Sequence, residues 1–263
     1  MTADHYADTG RRWARGAELV YGPIAAELIA MCPHPLAGRT VLDAGAGTGA
    51  ASQALAARRA RTVAMDLSFG MLAWNAAARP PSAVADIRAL PLAADSVDDS
   101  VAAFVLNHLT DPEAGLAELV RVTRPGGAVL AAVFSNASHH PARDRIDAVA
   151  RDAGWPVPGW YTEFKATAAP LLGSAAAMAD AARAVGLTGV STEERPVDVG
   201  VTQPDQLVSY RLAHPTFAAW LDRIGPDRAE SVARQAAEAV RPVMQPYRPV
   251  VVFGVGQVVR GRS

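Results

Sequence analysis

Short apolar strands alternate with helical segments from Arg39 onward, and this alternation limits the folds that the chain can adopt. The first unit joins a buried strand, Thr40–Asp43, through a glycine-rich loop to a helix over Ala50–Arg59. Strands separated by helices of about 10–15 residues form βαβ units, whose strands lie parallel in one sheet. The sequence therefore predicts an α/β fold with a Rossmann-like, doubly wound sheet.

The same alternation continues through the first half of the chain and resumes near its end. Ser68 is placed to cap a helix that runs to about Arg79, and Asp111 before a proline is a typical helix start. Prolines and aromatic residues interrupt the pattern over 136–173, and 203–240 is again helical. The further strands are expected at Thr62–Asp66, Ser82–Ile87, Val101–Leu106, Ala128–Phe134, Val190–Val201 and 249–260, with another helix at Ser174–Val185.

Composition and charge exclude several classes of protein. Lys and Arg number 25 against 26 Asp and Glu, a formal charge of -1, so the basic excess of a nucleic-acid-binding protein is missing. The single cysteine, Cys32, excludes an intramolecular disulfide and a cysteine-based metal site. The polar start lacks the core of a signal peptide, and no apolar run approaches the roughly 20 residues that span a bilayer. We therefore expect a cytoplasmic protein without nucleic-acid or membrane partners, as a monomer or homodimer.

The loop after the first strand, Ala44–Gly49, is the most informative part of the sequence. Glycines permit a tight turn and let a ligand approach the backbone, and the free N–H groups of the next helix attract an acceptor. Gly45, Gly47 and Ala50 satisfy the dinucleotide fingerprint, so an NAD-dependent oxidoreductase is one hypothesis. Asp43 favours another, because its carboxylate would repel a pyrophosphate and attract an ammonium or sulfonium group. An aspartate that only holds the loop by accepting backbone hydrogen bonds is the structural alternative.

Four polar side chains fall at or near the ends of successive predicted strands. They are Asp43, Asp66, Asp86 and Asn107. In an open parallel sheet, ligands bind outside the carboxyl ends of the strands near the switch point. An acid where Asp66 stands can accept hydrogen bonds from both hydroxyls of a ribose. The pattern predicts a cleft for a nucleoside-containing ligand at this edge.

Five segments also carry known motifs in a fixed order: Val41–Gly49, Ala64–Leu72, Ala85–Asp98, Asn107–Pro112 and Leu119–Gly127. In this order they resemble the motifs of class I S-adenosylmethionine-dependent methyltransferases, in particular type 11-like enzymes that act on small molecules. Any one motif alone is a weak signal, whereas five in register over 38–135 are specific. The resemblance implies S-adenosylmethionine as the cofactor, with S-adenosylhomocysteine as its product.

The resemblance also implies which residues meet the methionine part of the cofactor. Asp43 and the glycine loop would surround it, and Asn107 would sit beside the methyl donor. An N-terminal segment often folds over the cofactor in such proteins, so Tyr21 is a further candidate, although its helical spacing with Trp13 also suits an amphipathic core. The loop residues assigned in this way are Ala44, Gly45, Gly47 and Gly49.

For the nucleoside part, the resemblance implies a second group of residues. Asp66 would hold the ribose hydroxyls, and Leu67 and Met71 would flank the ribose or the adenine. Asp86 would accept a hydrogen bond from the adenine amino group, with Ile87 stacked against the ring.

A single methyltransferase domain over 1–263 with a seven-stranded sheet is the architecture that the resemblance implies. The last strand is expected to run antiparallel and to pair with 190–201, and residues 38–135 are expected to bind the cofactor. The segments expected to cover the cleft are an N-terminal helical cap, 1–37, and two substrate-lid insertions, 136–173 and 202–248.

Candidate catalytic residues follow from the chemistry of a sulfonium methyl group. That group is already activated, so an enzyme mainly positions the nucleophile, and a base helps only where the nucleophile must lose a proton. His108 and His139 are the candidate bases, because each follows a strand near the predicted ligand edge; His140 shares that position. His5 and His214 are expected to be surface or packing residues. The histidine spacings carry no metal signature, so no metal is expected.

The acceptor is expected to be a small molecule. Asn107–Thr110 lacks the motif that methylates exocyclic amines of nucleic acids, and the near-neutral charge agrees. Two aromatic clusters suit either a pocket for an apolar or aromatic acceptor or an ordinary lid core. They are Trp155, Trp160, Tyr161 and Phe164, and Tyr210, Phe217 and Trp220. The sequence does not distinguish an O, N or C atom as the methyl acceptor. A role in specialised-metabolite biosynthesis is a hypothesis. The alternatives are a protein that uses the cofactor as a scaffold for non-methyl-transfer catalysis or binding, and an NAD-dependent oxidoreductase.

Overall fold

The computed structural model describes residue 6 and residues 9–259. In this part of the chain, one seven-stranded sheet consists of β1 (Thr40–Ala44), β2 (Arg61–Asp66), β3 (Ser82–Val84), β4 (Asp99–Ala103), β5 (Ala128–Phe134), β6 (Thr188–Pro196) and β7 (Val250–Gln257). The strand order is β3-β2-β1-β4-β5-β7-β6. Strands β1 to β5 pair in parallel, and β7 runs antiparallel to both β5 and β6. The predicted Rossmann-like sheet with an antiparallel last strand is confirmed.

Helices cover both faces of the sheet. They are α1 (Gly10–Gly16), α2 (Glu18–Ala30), α3 (Ala50–Ala57), α4 (Phe69–Ala73), α5 (Pro112–Val122), α6 (Pro141–Asp152), α7 (Gly159–Ala166), α8 (Ala175–Ala184), α9 (Pro204–Leu212), α10 (Pro215–Ile224) and α11 (Pro226–Val240). Neighbouring strand residues enter opposite apolar layers, because side chains alternate across a sheet. Val41 thus packs with Leu28 of α2, whereas Leu42 packs with Leu119 of α5.

The predicted helix caps are present. Ser68 accepts a hydrogen bond from the backbone of Met71 at 3.4 Å, and Asp111 accepts one from Ala114 at 3.1 Å. Each cap satisfies a backbone N–H that the first helical turn leaves without a partner.

The predicted helix from Ser68 to Arg79 is wrong in its second half. Helix α4 ends at Ala73, and a short 3₁₀ turn at Ala76–Ala78 replaces the remainder. Asn75 has a φ of 52°, a left-handed conformation that Asn tolerates and that stops a helix. The alanines around it favour a helix locally, but this backbone turn overrides their propensity.

Several predicted strands have different ends, among them β7, which spans Val250–Gln257 rather than 249–260. Strand β3 stops at Val84 rather than Ile87, which frees Ala85 to Ile87 to line the cleft described below. Strand β4 starts at Asp99 and ends at Ala103, rather than spanning 101–106. Strand β6 ends at Pro196 and not at 201, and beyond it, among the described residues, only the hydrogen bond from Val197 to Pro249 at 3.0 Å and an isolated bridge between Val201 and Tyr247 continue the pairing.

Helices from the predicted lid segments pack against one another. Helix α11 lies on α6 and α9, and α1 also packs on α9. Both oxygens of Asp147 on α6 accept hydrogen bonds from Arg211 on α9, at 2.7 and 2.8 Å. Within the described residues, no helix is both long and apolar enough to cross a membrane.

Candidate active site

A cleft opens at the carboxyl ends of β1, β2 and β4. One wall comes from Asp43 and the loop after β1, and another comes from the residues that follow β2 and β3. The third wall follows β4 and includes Phe104, Val105 and His108. Since these ends converge through the parallel pairing of the strands, the fold itself gathers residues that lie far apart in the sequence.

Gly45 sits where only a glycine fits. Its φ is +72°, and a Cβ added there would lie 2.3 Å from Cβ of Val105. The backbone N–H groups of Gly45 and Ala46 both donate to the carbonyl oxygen of Met65, at 2.7 and 3.0 Å. The end of β2 therefore fixes the first turn of the loop.

Asp66 joins the glycine loop to the segment after β2. Its Oδ2 accepts a hydrogen bond from the backbone N–H of Gly47, and its Oδ1 accepts one from Ser68, both at 2.8 Å. Burial raises the pKa of Asp66, and the two backbone donors oppose that shift. Each carboxylate oxygen keeps acceptor capacity, and the side chain lines the cleft.

Asp43 is completely buried and carries one oxygen without a partner. Its Oδ2 accepts a hydrogen bond from Oγ of Ser52 at 2.6 Å. Its Oδ1 has no hydrogen-bond partner among the described residues, although the side chain lines the cleft. Burial raises the pKa of Asp43 to about 6. The structure therefore departs from the alternative in which this carboxylate only accepts backbone hydrogen bonds from the loop.

The remaining predicted nucleoside-binding residues also reach the cleft. Leu67, Met71 and Ile87 supply an apolar stretch of its lining. Asp86 lines it as well, but its carboxylate is held by the guanidinium of Arg88, with a shortest distance of 2.6 Å. That hydrogen-bonded ion pair lowers the pKa of Asp86.

Three predicted cofactor residues do not line this cleft. Ala44 is buried within β1, and Gly49 lies at the start of α3. Asn107 is buried and lines an adjoining pocket instead. Its Oδ1 lacks a hydrogen-bond partner among the described residues.

The adjoining pocket lies beneath α6, α7 and α9, and we call it the lid pocket. It shares Tyr6, Tyr21, Phe104 and His108 with the cleft, so the two spaces adjoin at these side chains. Its other lining residues include Asn107, Phe134, Arg143, Tyr161, Phe164, Lys165, Tyr210, Arg211 and His214.

His108 stands at the junction of the cleft and the lid pocket. Its ring stacks on Phe164 with 4.9 Å between centroids, and its Nε2 lies 3.5 Å from the phenol oxygen of Tyr6. Its Nδ1 is buried without a hydrogen-bond partner among the described residues. Burial lowers the pKa of His108 to about 4, so the imidazole is neutral at neutral pH.

The structure does not bring His139 to either space. Its side chain is 68% exposed and pairs with Asp144 at 2.8 Å. His140 accepts a hydrogen bond from the backbone of Ala142 and so caps α6. His214, expected at the surface or in packing, is a lining residue of the lid pocket, and burial lowers its pKa. His5 lies outside the described residues.

The two aromatic clusters divide between core and pocket. Trp155 stacks on Phe217 with 4.0 Å between centroids, and Trp220 is buried beside them. Tyr161, Phe164 and Tyr210 instead line the lid pocket. Tyr21, a candidate for either role, packs in the core against Phe104 and also lines both spaces.

Comparison with known proteins shows what this part of the chain is similar to. Residues 42–131 match a family model described as a methyltransferase domain. This part of the chain is similar to that family. A demethylmenaquinone methyltransferase from Renibacterium salmoninarum is 37% identical over 135 residues, which are 51% of this chain and 52% of that protein. The chain thus spans about half the length of the curated relatives it matches.

Solved structures share the fold of this chain. One such structure is a complex of the Haloferax volcanii Trm112 methyltransferase activator with a methyltransferase. A chain of that complex aligns with this protein over the full length of each, with a TM-score of 0.63 and 20% identity. A Haemonchus contortus phosphoethanolamine N-methyltransferase, solved with S-adenosylmethionine, aligns over 90% of this chain and 52% of its own, with a TM-score of 0.59 and 17% identity.

The cleft is chemically suited to S-adenosylmethionine, the compound with which the Haemonchus contortus protein was solved. The unpaired oxygen of buried Asp43 suits a cationic group, which an α-ammonium supplies. Asp66 keeps acceptor capacity for hydroxyl donors, and the apolar stretch with Ile87 suits a flat ring.

Sequence reasoning missed the cationic side chains near the cleft. Arg79 lies close to Asp43, Asp66 and Glu18, whose charges oppose the lowering of its pKa by burial. Arg143 and Arg211 line the lid pocket from different helices. No motif marks these arginines, because their approach depends on how distant helices pack.

One group of potential metal ligands lies outside both spaces. It consists of Cys32, His34 and Asp99, whose ligand atoms lie within 4.8 Å of one another. The cysteine therefore belongs to a group of potential ligands, although the sequence excludes a site built on several cysteines. The Asp99 carboxylate already accepts hydrogen bonds from Arg39 at 2.6 Å, and from His34 and the backbone of Ala128 at 2.8 Å each. We assign no metal to this group.

Proposed function

We propose that the protein transfers a methyl group from S-adenosylmethionine to a small molecule bound in the lid pocket. The observation that carries this proposal is the junction between the two spaces. The cleft with Asp43 and Asp66 meets the lid pocket at His108 and Phe104, so a ligand in one adjoins a ligand in the other.

When bound, S-adenosylmethionine supplies a methyl group that is already activated toward a nucleophile. Asp43 would attract the ammonium group, and Asp66 would accept hydrogen bonds from the ribose hydroxyls. Ile87, Leu67 and Met71 would contact the nucleoside. These interactions fix the orientation of the donor, which is the main contribution that an enzyme can make to such a transfer.

His108 is our candidate general base. A neutral imidazole can accept a proton, and His108 is neutral because burial lowers its pKa to about 4; the same burial makes it a weaker base than a free histidine. The ring lines both the cleft and the lid pocket, where an acceptor hydroxyl or amine would lie. His139 has no part in this proposal, because it lines neither space.

The cover of the site is part of the same proposal. The N-terminal cap, 1–37, and the insertions 136–173 and 202–248 would enclose the acceptor, whereas 38–135 would hold the cofactor. The name of the relative from Renibacterium salmoninarum supports a small-molecule acceptor. A cytoplasmic location, a monomeric or homodimeric state and a role in specialised metabolism are further proposals, and size-exclusion chromatography tests the oligomeric state.

Two measurements test the proposed function. Calorimetry with S-adenosylhomocysteine should show binding, and its absence at high micromolar concentration would contradict the cofactor assignment. Incubation with S-adenosylmethionine and panels of small-molecule acceptors should yield S-adenosylhomocysteine and a product heavier by one methylene, both detected by mass spectrometry. Cofactor binding without any turnover would instead favour the scaffold alternative. Binding of a nicotinamide dinucleotide would favour the oxidoreductase, which the unpaired oxygen of Asp43 opposes.

A further inference from the structure

The lid pocket contains three cationic side chains with unequal partners. Arg211 is almost fully buried, and its guanidinium is neutralised by the two-oxygen contact with Asp147. Arg143 and Lys165, the only lysine in the sequence, line the same pocket. Among the described residues, neither of these two pairs with a carboxylate. The pocket therefore carries positive charge that the described side chains leave unbalanced.

Arg143 is the more constrained of the two. It stands on α6 and is partly buried, and its Nε is buried without a hydrogen-bond partner among the described residues. Tyr161, Tyr210 and Tyr247 lie close enough to interact with it electrostatically, and so does Arg211, a like charge. A guanidinium stays charged at any pH a protein tolerates, and burying one without a partner is unfavourable. A bound anion would remove this penalty.

We infer that the methyl acceptor carries a carboxylate and that Arg143 binds it, an inference that rests on the proposed function. A single unpaired guanidinium balances the single charge of a carboxylate, and its planar donors match two carboxylate oxygens. Lys165 is exposed at the same pocket and adds attraction at its edge.

The other side chains that line the lid pocket indicate the shape of the acceptor beyond its carboxylate. Phe134, Phe164 and Tyr161 give the lid pocket aromatic surfaces, which suit a flat apolar frame. Arg143 lines the lid pocket alone, whereas His108 lines both spaces. The carboxylate therefore marks the end of the acceptor that points away from the cofactor, and the atom to be methylated lies toward His108.

A pair of matched probes tests this inference without any turnover. 2-Naphthoate and 2-naphthamide have nearly the same shape, but only the first carries a charge. We expect calorimetry on the protein saturated with S-adenosylhomocysteine to show about tenfold or more tighter binding of the naphthoate, since hydrogen bonds to charged groups contribute that much. The Arg143→Gln variant should bind the two probes alike, and Arg143→Lys should keep part of the preference.

Arg145 provides the matched control, because it is exposed on the same helix and does not line the pocket. Arg145→Gln should keep the full preference for naphthoate. Equal binding of the two probes by the unaltered protein, or an equal loss in both variants, would overturn the inference. S-adenosylhomocysteine is titrated into every variant separately. Failure of the unaltered protein to bind S-adenosylhomocysteine would contradict the proposed function. In that case 2-naphthoate and 2-naphthamide are compared in its absence, so the test of Arg143 remains separate from the test of the proposed function.

Discussion

The backbone N–H of Gly47 donates a hydrogen bond to Oδ2 of Asp66 at 2.8 Å. This bond holds the loop after β1 against the end of β2, while the same carboxylate lines the cleft. The residue proposed to bind the ribose therefore also shapes the loop proposed to bind the methionine part. If Asp66 binds the ribose as proposed, cofactor binding and loop order are coupled through this one side chain.

Replacing Asp66 by alanine should weaken the binding of S-adenosylhomocysteine by about 1–3 kcal/mol, roughly tenfold to a hundredfold, because buried hydrogen bonds are lost. Asp66→Asn keeps one carbonyl oxygen, so its affinity for S-adenosylhomocysteine should lie between those of the unaltered protein and Asp66→Ala. Calorimetry measures both. Glu230→Ala, an exposed change on α11, serves as the control, and unchanged affinity in Asp66→Ala would argue against the assignment.

The ionisation of Asp43 should make cofactor binding depend on pH. Below its pKa of about 6 the side chain is neutral and attracts a cation less, so affinity for S-adenosylhomocysteine should rise about tenfold from pH 5 to pH 7. In the free protein the sign is opposite. Because folding raises this pKa from 3.8, the free energy of unfolding contributed by Asp43 should fall between about pH 4 and pH 6.

Asp43→Asn should remove both dependences, since an amide does not titrate in this range. Calorimetry across pH gives the first comparison, and chemical denaturation of the free protein gives the second. A variant that keeps the same pH profile as the unaltered protein would show that another group is responsible.

Exchange of His108 for asparagine should lower kcat with any acceptor that must lose a proton, by about 10²–10⁴-fold, while leaving S-adenosylhomocysteine affinity nearly unchanged. Above about pH 5 the unaltered enzyme should show no His108 titration, because the imidazole is already neutral. His139→Asn is the matched control and should retain full activity, since His139 is exposed and paired with Asp144. Full activity in His108→Asn would exclude a role as base.

Substitution of Gly45 by alanine should destabilise the protein by about 2–4 kcal/mol, from the left-handed backbone and the overlap with Val105 together. Gly154→Ala is the comparison, because Gly154 also has a positive φ, of +92°, but open space beside it. It should cost about 1 kcal/mol. Adding Val105→Ala to Gly45→Ala removes the two Cγ atoms of Val105 but keeps its Cβ, so it should recover only a small part of the loss in thermal denaturation. Equal losses in Gly45→Ala and Gly154→Ala would contradict the overlap.

Neutralising Asp147 should be costly, since it leaves the buried guanidinium of Arg211 without its counter-charge. We expect Asp147→Asn to lower the free energy of unfolding by about 3–5 kcal/mol. Glu230→Gln breaks the exposed pair with Arg234 on α11 and should change stability little. Urea denaturation compares the two, and similar losses would mean that the buried pair has no special weight.

The cofactor half of the protein was accessible from sequence because its signals are local. Asp43 lies near the end of β1, the glycine loop follows that strand directly, and Asp66 ends β2, so parallel pairing brings them together. The errors fall where local propensity competes with the rest of the fold. Alanines predicted a helix through Arg79, but the turn at Asn75 ends it.

The lid half was different, because alanine suits either face of a helix and hides which side is buried. Nothing in the sequence shows that Arg143, Arg211 and His214 share one pocket, or that His139 stays outside while His108 lies at the junction. The sequence by itself determined the alternation of strands and helices, the glycine loop and the carboxylates near the strand ends, since these are local patterns. Strand order and the antiparallel last strand depend on how distant segments pair. Only the tertiary structure decided the charge and shape of the lid pocket, because this pocket forms where helices far apart in the chain pack together.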